Sequence, residues 1–141
     1  EQLTRRAVQI LTELYLQARP AKLPKIRTAT KLARTVRKAE ECFAAAQSGP
    51  VSLADLCVAA GVSQGTLYHA FTVMCDSSPM AYFKKRRLTD ARLALLCSAP
   101  ETRLVKRAAL GAGFTHLGRF SKEYYQFFGE LPTTTLNLRS R

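Results

Sequence analysis

The residues best suited to recognition chemistry stand together at 113–129, where glycine, basic and aromatic residues are combined in one short stretch. The spacing predicts a turn followed by a helix with a 3.6-residue period. The inner face of that helix consists of Leu117, Phe120, Tyr124 and Phe127. The outer face carries Gly118, Lys122 and Tyr125, with Arg119 and Gln126 beside them. A helix that is aromatic inside and small, polar and basic outside is suited to the major groove of DNA.

An earlier stretch, 61–74, repeats this pattern. Its inward residues are Leu67, Ala70, Phe71 and Met74. Its outward residues are Gly65, Tyr68, His69 and Thr72, with Gln64 near the exposed amino end. The two helices correspond at an offset of 53 residues and the helices before them at an offset of 52, so the second turn is one residue longer. We interpret the copies as a degenerate duplication of a helix-turn-helix unit.

The charge balance is strongly basic, because 22 Lys and Arg stand against 10 Asp and Glu, a net charge of +12. This balance predicts a polyanionic partner, with nucleic acid ahead of a membrane surface. No apolar run approaches the ~20 residues of a membrane span. The four cysteines lack a CxxC motif and a close Cys/His pairing, so neither a metal nor a cofactor is expected. Reduced cysteines on helices fit a cytoplasmic protein.

Helical periodicity predicts an all-α fold, because no segment sustains the alternation of a strand. Helices are expected at about 3–17, 30–47, 53–60, 64–74, 79–97, 103–112, 116–128 and 132–138. Ser52 and Asp55 form a capping-box variant at the start of one helix. The helix at 79–97, called the strut helix below, connects the two copies of the pattern.

These elements divide the chain into four parts. The first, 1–28, is a helix and a Pro-containing linker, and the helix either is the tail of a missing sensor domain or extends the linker. It is followed by a first helix-turn-helix subdomain at 29–77, the connecting helix at 78–98 and a second helix-turn-helix subdomain at 99–141. Because the chain begins with Glu1 and not with Met, we expect a fragment of a longer protein.

The motifs in both subdomains resemble the DNA-binding domain of the AraC/XylS family of bacterial transcription regulators, over roughly 34–138. In the first subdomain and the strut helix the matching motifs are Ser52-Leu-Ala-Asp-Leu56, Ala60-Gly-Val-Ser63, Leu67 with Phe71, Ser78-Pro-Met-Ala-Tyr82, Arg87-Leu88, Ala91 and Leu95-Leu96. In the second they are Gly113-Phe114, Gly118-Arg-Phe-Ser121, Phe128-Gly129 and Pro132. Their order and spacing together are specific, although each alone is weak.

The resemblance implies a seven-helix domain, here preceded by an extra N-terminal helix, that inserts two recognition helices into successive major grooves on one face of double-stranded DNA. It also implies a separate effector-binding or dimerisation domain, usually N-terminal, which we expect to lie outside this fragment. RNA polymerase is a further candidate partner, and the expected location is the bacterial cytoplasm, on the nucleoid. Activation is the expected mode of transcription regulation, while repression stays open.

Three positions depart from the family pattern. The family commonly has Gly where Asp76 stands, so the turn before the strut helix is one place where this chain could differ. Arg is common in the family at the position of His69, and at the position of Tyr125 in the subgroup that resembles Gly118-Arg-Phe-Ser121, so the family's DNA contacts at these two positions do not carry over directly to this chain. None of the three departures changes the expected fold.

Fifteen residues are predicted to contact DNA. In the first subdomain they are Ser63, Gln64, Gly65, Thr66, Tyr68, His69 and Thr72. In the second they are Thr115, His116, Leu117, Gly118, Arg119, Ser121, Lys122 and Tyr125.

Several of these residues have alternative roles. Arg119 is suited to bidentate contact with guanine and equally to a phosphate contact. Thr115 and His116 can cap a helix or contact phosphate, and Leu117 can pack inward or touch a thymine methyl group. In the basic run Lys84-Lys-Arg-Arg87 about half of the side chains can face DNA, and the last two are candidates to pair with Asp90.

Two other classes of function were compared with sequence-specific regulation. An enzyme is not expected, because there is no phosphate-binding Gly loop and no third group to orient a Cys57/His69 couple. The alternative to a regulator is a non-specific basic architectural or RNA-binding helical module. Such a module does not need a polar outward stripe on both turn-helices, and this difference favours the regulator.

Overall fold

The computed structural model describes residues 26–97 and 104–138, and in these ranges the chain forms helices and no strand. The helices are α1 Ile26–Ala45, α2 Leu53–Ala60, α3 Gln64–Cys75, α4 Pro79–Cys97, α5 Val105–Gly111, α6 Leu117–Phe128 and α7 Pro132–Asn137. The all-α prediction is therefore confirmed, and α4 is the strut helix. The helix predicted at 3–17 lies outside the described residues.

The bounds of α1 differ from the prediction, because the helix begins at Ile26 and not near Thr30. The linker predicted to extend to residue 28 thus overlaps the first turn of α1. Pro24 stands two residues before the helix and no proline occurs inside it, so nothing in this stretch prevents helix formation. By backbone contacts, the described residues from Lys31 onward form one compact unit, which contains the helices of both helix-turn-helix subdomains.

Local capping sets the bounds of the first helix-turn-helix. The Ser52 hydroxyl accepts a hydrogen bond from the Asp55 amide, and the Asp55 carboxylate accepts one from the Ser52 amide, so the predicted capping box is present. Gly61 ends α2 in the left-handed conformation, with φ 67°. The Ser63 hydroxyl then accepts from the Thr66 amide and begins α3. These caps fix the direction in which α3 leaves the turn.

Two separate cores lie along the strut helix. The first packs α1, α2 and α3 against its amino-terminal half, where Phe83 stacks on Phe43 with ring centroids 4.5 Å apart. The second packs α5 and α6 against the carboxyl-terminal half, through Leu88, Ala91 and Leu95. The largest fully buried side chains of the two turn-helices occupy equivalent positions, Phe71 in α3 and Tyr124 in α6. The predicted duplication thus reappears as two cores on one shared helix.

A buried polar network attaches the short helix α7 to the second core. The Tyr124 and Thr135 hydroxyls are hydrogen-bonded at 2.8 Å, and Thr135 donates to the Glu130 carboxylate at 2.7 Å. Glu130 in turn pairs with Arg92 of the strut helix at 2.8 Å. Because each buried polar group has a partner, the network attaches α7 without an unpaired polar group in the core.

Arg87 of the strut helix joins the two subdomains. Its Nη2 group donates to the Gly49 carbonyl at 2.8 Å, between α1 and α2, and its Nη1 group donates to the Gly113 carbonyl at 3.3 Å, between α5 and α6. The guanidinium also lies 5.2 Å from the ring centroid of Phe43. The predicted pairing of Arg87 with Asp90 was wrong, because the guanidinium is used by these two backbone carbonyls. The other candidate for this pairing, Arg86, does pair with Asp90, at 3.9 Å, as predicted.

Gly113 is required at this junction for two reasons. Its φ of 84° is one that side chains rarely adopt, and a Cβ atom there would lie 2.8 Å from the Arg87 Nη1 and 2.9 Å from the Ser48 carbonyl oxygen. The Ser48 hydroxyl also donates directly to the Gly111 carbonyl. The turn before α6 therefore lies against both the strut helix and the turn between α1 and α2.

We expect Arg87→Met to lower the free energy of unfolding by about 2 kcal/mol, since hydrogen bonds from a charged group to two carbonyls are lost while the aliphatic stem is kept. Arg86→Met is the matched control, with an expected change within about 0.5 kcal/mol, because the pair that it breaks is exposed. Urea denaturation of both variants measures the difference. Equal effects of the two substitutions would contradict the assigned role of Arg87.

Candidate nucleic-acid interface

The outward stripe of α3 is exposed, as predicted. Exposed side chains are those of Ser63, Gln64, Thr66, Tyr68, His69 and Thr72, and Gly65 is exposed as well. The Ser63 hydroxyl is occupied by the Thr66 amide and also lies 3.0 Å from the Thr66 hydroxyl, so its first role is to cap the helix. The remaining members of the stripe form a neutral, hydrogen-bonding surface, because α3 contains no Lys, Arg, Asp or Glu.

The equivalent stripe of α6 is exposed and charged. It consists of Thr115, His116, Leu117, Gly118, Arg119, Lys122 and Tyr125, whereas Ser121 is half-buried. Lys122 makes no ion pair with any residue that the structure describes. The His116 residue occupies the N-cap position of α6, but its side chain makes no capping hydrogen bond. The ring of His116 is therefore available for other contacts, and the alternative of a side-chain cap is excluded for it.

Three apolar residues predicted to face inward are exposed instead. Leu117 is 38% exposed, Phe127 is 43% exposed and Met74 is 43% exposed. Leu117 stands in the first turn of α6, beyond the edge of the second core, and Phe128 packs against that core where Phe127 was expected. The inward alternative for Leu117 was thus wrong, and its methyl groups lie on the same surface as Gly118 and Arg119.

A carboxylate that the sequence reasoning missed stands beside Arg119. Glu123 Oε1 accepts one hydrogen bond from Arg119 Nε and another from Lys84 Nζ of the strut helix, each at 3.1 Å. Partial burial raises the pKa of the Glu123 carboxyl, but the hydrogen bonds from Lys84 and Arg119 outweigh it, so the net pKa is below its usual value. The available signal was the i, i+4 spacing of Arg119 and Glu123.

The basic run on the strut helix is mostly engaged within the protein. Lys84 pairs with Glu123, Arg86 with Asp90, and Arg87 with backbone carbonyls. Lys85 is exposed and makes no ion pair with another described residue. The run therefore contributes less to a DNA surface than its formal charge of +4 indicates, and Lys85 is its one member whose side chain has neither an ion pair nor a hydrogen bond among the described residues.

Asp76 adopts the backbone conformation that glycine favours. It ends α3 with φ 48° and ψ 40°, and its amide donates to the Thr72 carbonyl. Aspartate tolerates the left-handed region better than most side chains do. The departure from the family pattern at this position has therefore left a left-handed turn before the strut helix.

Gly65 and Gly118 are equivalent glycines that the fold itself does not require. Each is the second residue of its turn-helix, at the offset of 53 residues that relates the two copies. A Cβ atom at either position would meet nothing within 4 Å, and neither has a positive φ. Glycine within a helix lowers stability relative to alanine, so its presence at both positions calls for a reason outside the folded chain. Close approach of a partner to the helix backbone is such a reason.

A cleft of about 350 Å³ lies between the two subdomains and the strut helix, lined by Phe43, Phe83, Phe114, Lys84 and Arg119 among others.

The four cysteines are free. Within the described ranges no group of three or more His, Cys, Asp or Glu side chains is arranged to hold a metal ion. None of the described helices is both long and apolar enough to cross a membrane.

Known proteins with the same organisation identify the family. Residues 56–137 match the family model described as a helix-turn-helix domain. The crystal structure of a probable AraC family transcriptional regulator from Rhodopseudomonas palustris CGA009 is 37% identical, with a TM-score of 0.65, and the match covers 76% of this chain and 97% of that one. The chain belongs to the AraC family. This family is one of transcription regulators and not of enzymes.

Relatives of this AraC-family chain include longer proteins. The XylDLEGF operon transcriptional activator 2 of Pseudomonas putida is 39% identical over 88 residues, which are 62% of this chain and 56% of that protein. A second XylDLEGF operon transcriptional activator of this species is 37% identical over 86 residues, which are 61% of this chain and 27% of that protein. A transcriptional regulator from Chromobacterium violaceum, 24% identical with a TM-score of 0.68, shares the fold and covers 83% of this chain and 98% of that one.

We expect Gly65→Ala and Gly118→Ala each to raise the free energy of unfolding by about 0.5 kcal/mol, through a less flexible unfolded chain. If DNA approaches these backbones closely, each should also weaken DNA binding by about tenfold, equivalent to about 1.4 kcal/mol. Gly111→Ala is the matched control, because this exposed helical glycine also has open space and lies outside both stripes. A gel-shift titration in which all three variants bind equally well would refute the close approach.

Proposed function

We propose that this chain is the sequence-specific DNA-binding part of a transcription regulator, and that it inserts α3 and α6 into successive major grooves on one face of double-stranded DNA. The observation that carries the proposal is the repetition of one exposed stripe on two turn-helices held by a single strut helix. Both stripes combine a capped or open helix start, a glycine in the first turn and polar side chains farther along. A binder that used charge alone would not need this repetition.

The two recognition helices have different chemistry in this proposal. The α3 helix contacts DNA through groups without a permanent charge. Gln64 is suited to adenine, and the Tyr68 and His69 side chains can donate to base edges or phosphates. Through α6, Arg119 and Lys122 supply charge beside Gly118, and Leu117 is placed for a thymine methyl group. The other predicted contacts are Ser63, Gly65, Thr66, Thr72, Thr115, His116, Ser121 and Tyr125.

The length of the strut helix supports binding to two adjacent grooves. Its 19 residues span about 28 Å at 1.5 Å per residue. Successive major grooves are about 34 Å apart, so one chain can reach both without a partner subunit. Family membership disfavours the non-specific architectural or RNA-binding alternative. For the complete protein, the proposed partners are RNA polymerase and an effector ligand, and a separate domain is proposed for dimerisation. The proposed location is the cytoplasm.

Hydroxyl-radical footprinting tests the two-groove arrangement. On a site selected from a randomised double-stranded DNA pool, we expect one monomer to protect two segments separated by about one helical turn. The double variant Arg119→Ala/Lys122→Ala should lose protection of one segment only. A single protected segment per monomer for the unaltered chain would contradict the proposal and leave one subdomain with another role.

The salt dependence of binding tests the different chemistry of the two helices. With about six phosphate contacts, affinity should fall about a thousandfold between roughly 50 and 200 mM salt. Lys122→Ala should make the log–log slope shallower by about one, because one phosphate contact is lost. Tyr68→Phe, which removes only a hydroxyl, should leave the slope unchanged. A slope shallower than about −2 for the unaltered chain would reject nucleic acid as the main partner.

A further inference from the structure

Arg119 is held by only one edge of its guanidinium. Its Nε group donates to Glu123, while neither Nη group has a hydrogen-bond partner among the residues that the structure describes. The Arg119 side chain is 73% exposed, whereas that of Glu123 is 15% exposed. The anchored edge is therefore turned toward the protein, and the two Nη groups remain available at the exposed end of the side chain.

Glu123 is itself fixed from the other side. Lys84 of the strut helix donates to the same Oε1 atom that accepts from Arg119. An isolated, exposed i, i+4 pair contributes little to order, but here a mostly covered carboxylate is held by a second cation on a different helix. The strut helix thus determines, through Glu123, where the Arg119 guanidinium lies.

A guanidinium anchored in this way presents the geometry that guanine requires. The N7 and O6 atoms of guanine are two acceptors side by side in the major groove, and a pair of Nη donors can satisfy both. Anchoring Nε in advance reduces the conformational entropy lost on binding. It also keeps the side chain from turning freely toward a phosphate, which a mobile arginine can reach equally well.

We infer that Glu123 is a positioning residue that directs Arg119 to guanine and so sets base specificity at one position of the DNA site. This inference rests on the proposed insertion of α6 into the major groove. Glu123 thereby has a role in base discrimination, although its negative charge alone opposes DNA binding. This role predicts that removal of the Glu123 carboxylate raises the affinity for DNA in general and lowers the preference for one guanine.

The test measures binding of the 141-residue chain to a site selected from a randomised double-stranded DNA pool. Each guanine of the site is replaced in turn by another base, and separately by 7-deazaguanine, which lacks the N7 acceptor. For the unaltered chain, one guanine should show a loss of about tenfold or more on base replacement. That preference should disappear in Arg119→Lys, which keeps the charge but not the paired donors.

In Glu123→Ala, the preference for this guanine should fall to about threefold or less, while binding to bulk DNA becomes tighter because a negative charge is removed. Glu123→Gln keeps an acceptor for Arg119 without the charge and should retain an intermediate preference. It also provides a test if Glu123→Ala does not fold. Lys84→Met breaks the hydrogen bond that fixes Glu123 from the strut helix, so it should lower the preference for guanine to an intermediate value. Glu41→Ala is the matched control, since it removes an equal charge from the exposed pair with Arg37 and should keep the full preference.

The outcomes separate the inference from the proposed function. If the unaltered chain does not distinguish its selected site from bulk DNA, the proposed function fails. If it does, but Glu123→Ala and Glu123→Gln both keep the full preference for guanine, or weaken binding equally for every base, the positioning role is overturned. A uniform loss in Arg119→Ala, with a salt slope shallower by about one, would also overturn it, because Arg119 would then contact phosphate.

Discussion

The contact of Arg87 with two backbone carbonyls is the constraint on which the two-part architecture depends. Each subdomain has its own core, and the cores meet the strut helix at different places. Without a bridge, their relative orientation would rest on the strut helix and on few contacts between turns. The Arg87 guanidinium joins the carbonyls of Gly49 and Gly113, so the turn before α6 is tied to the turn between α1 and α2. The proposed insertion of α3 and α6 into two DNA grooves needs this fixed relation, because misplacement of one helix moves every contact that the helix makes.

Stability and recognition make different demands on the same helices. The inner faces of α3 and α6 are buried completely at Phe71 and Tyr124, which fixes how each helix is rotated. The outer faces keep groups that add little to folding, including the glycines at 65 and 118. Because the core determines the rotation, these outer groups are presented together on the exposed face of each helix. The aromatic interior is thus the means by which the polar exterior is oriented.

The charge of the chain is distributed less simply than its net value indicates. In the basic run at 84–87, three side chains are paired with carboxylates of the protein or hydrogen-bonded to its backbone carbonyls. Glu123 in addition draws Lys84 and Arg119 to one point. In the proposed complex with DNA, these pairs would limit non-specific attraction to phosphates, and Glu123 would keep the remaining donors of Arg119 directed at one base. A high positive charge and base selectivity are compatible on this proposal, because acidic residues hold part of the positive charge in place.

Local sequence determined the elements of this protein, and tertiary packing decided how several of them are used. Caps and a 3.6-residue period depend only on neighbours in the chain. They were therefore enough to predict the helix bounds near Ser52, Gly61 and Pro79 and the outward stripes of α3 and α6. The exposure of Leu117 and Phe127 depended on where the second core ends. The partners of Arg87 stand 38 and 26 residues away, and a backbone carbonyl leaves no mark in the sequence. Only the folded chain could show them, because hydrogen bonds to the backbone are chosen by proximity and not by residue type.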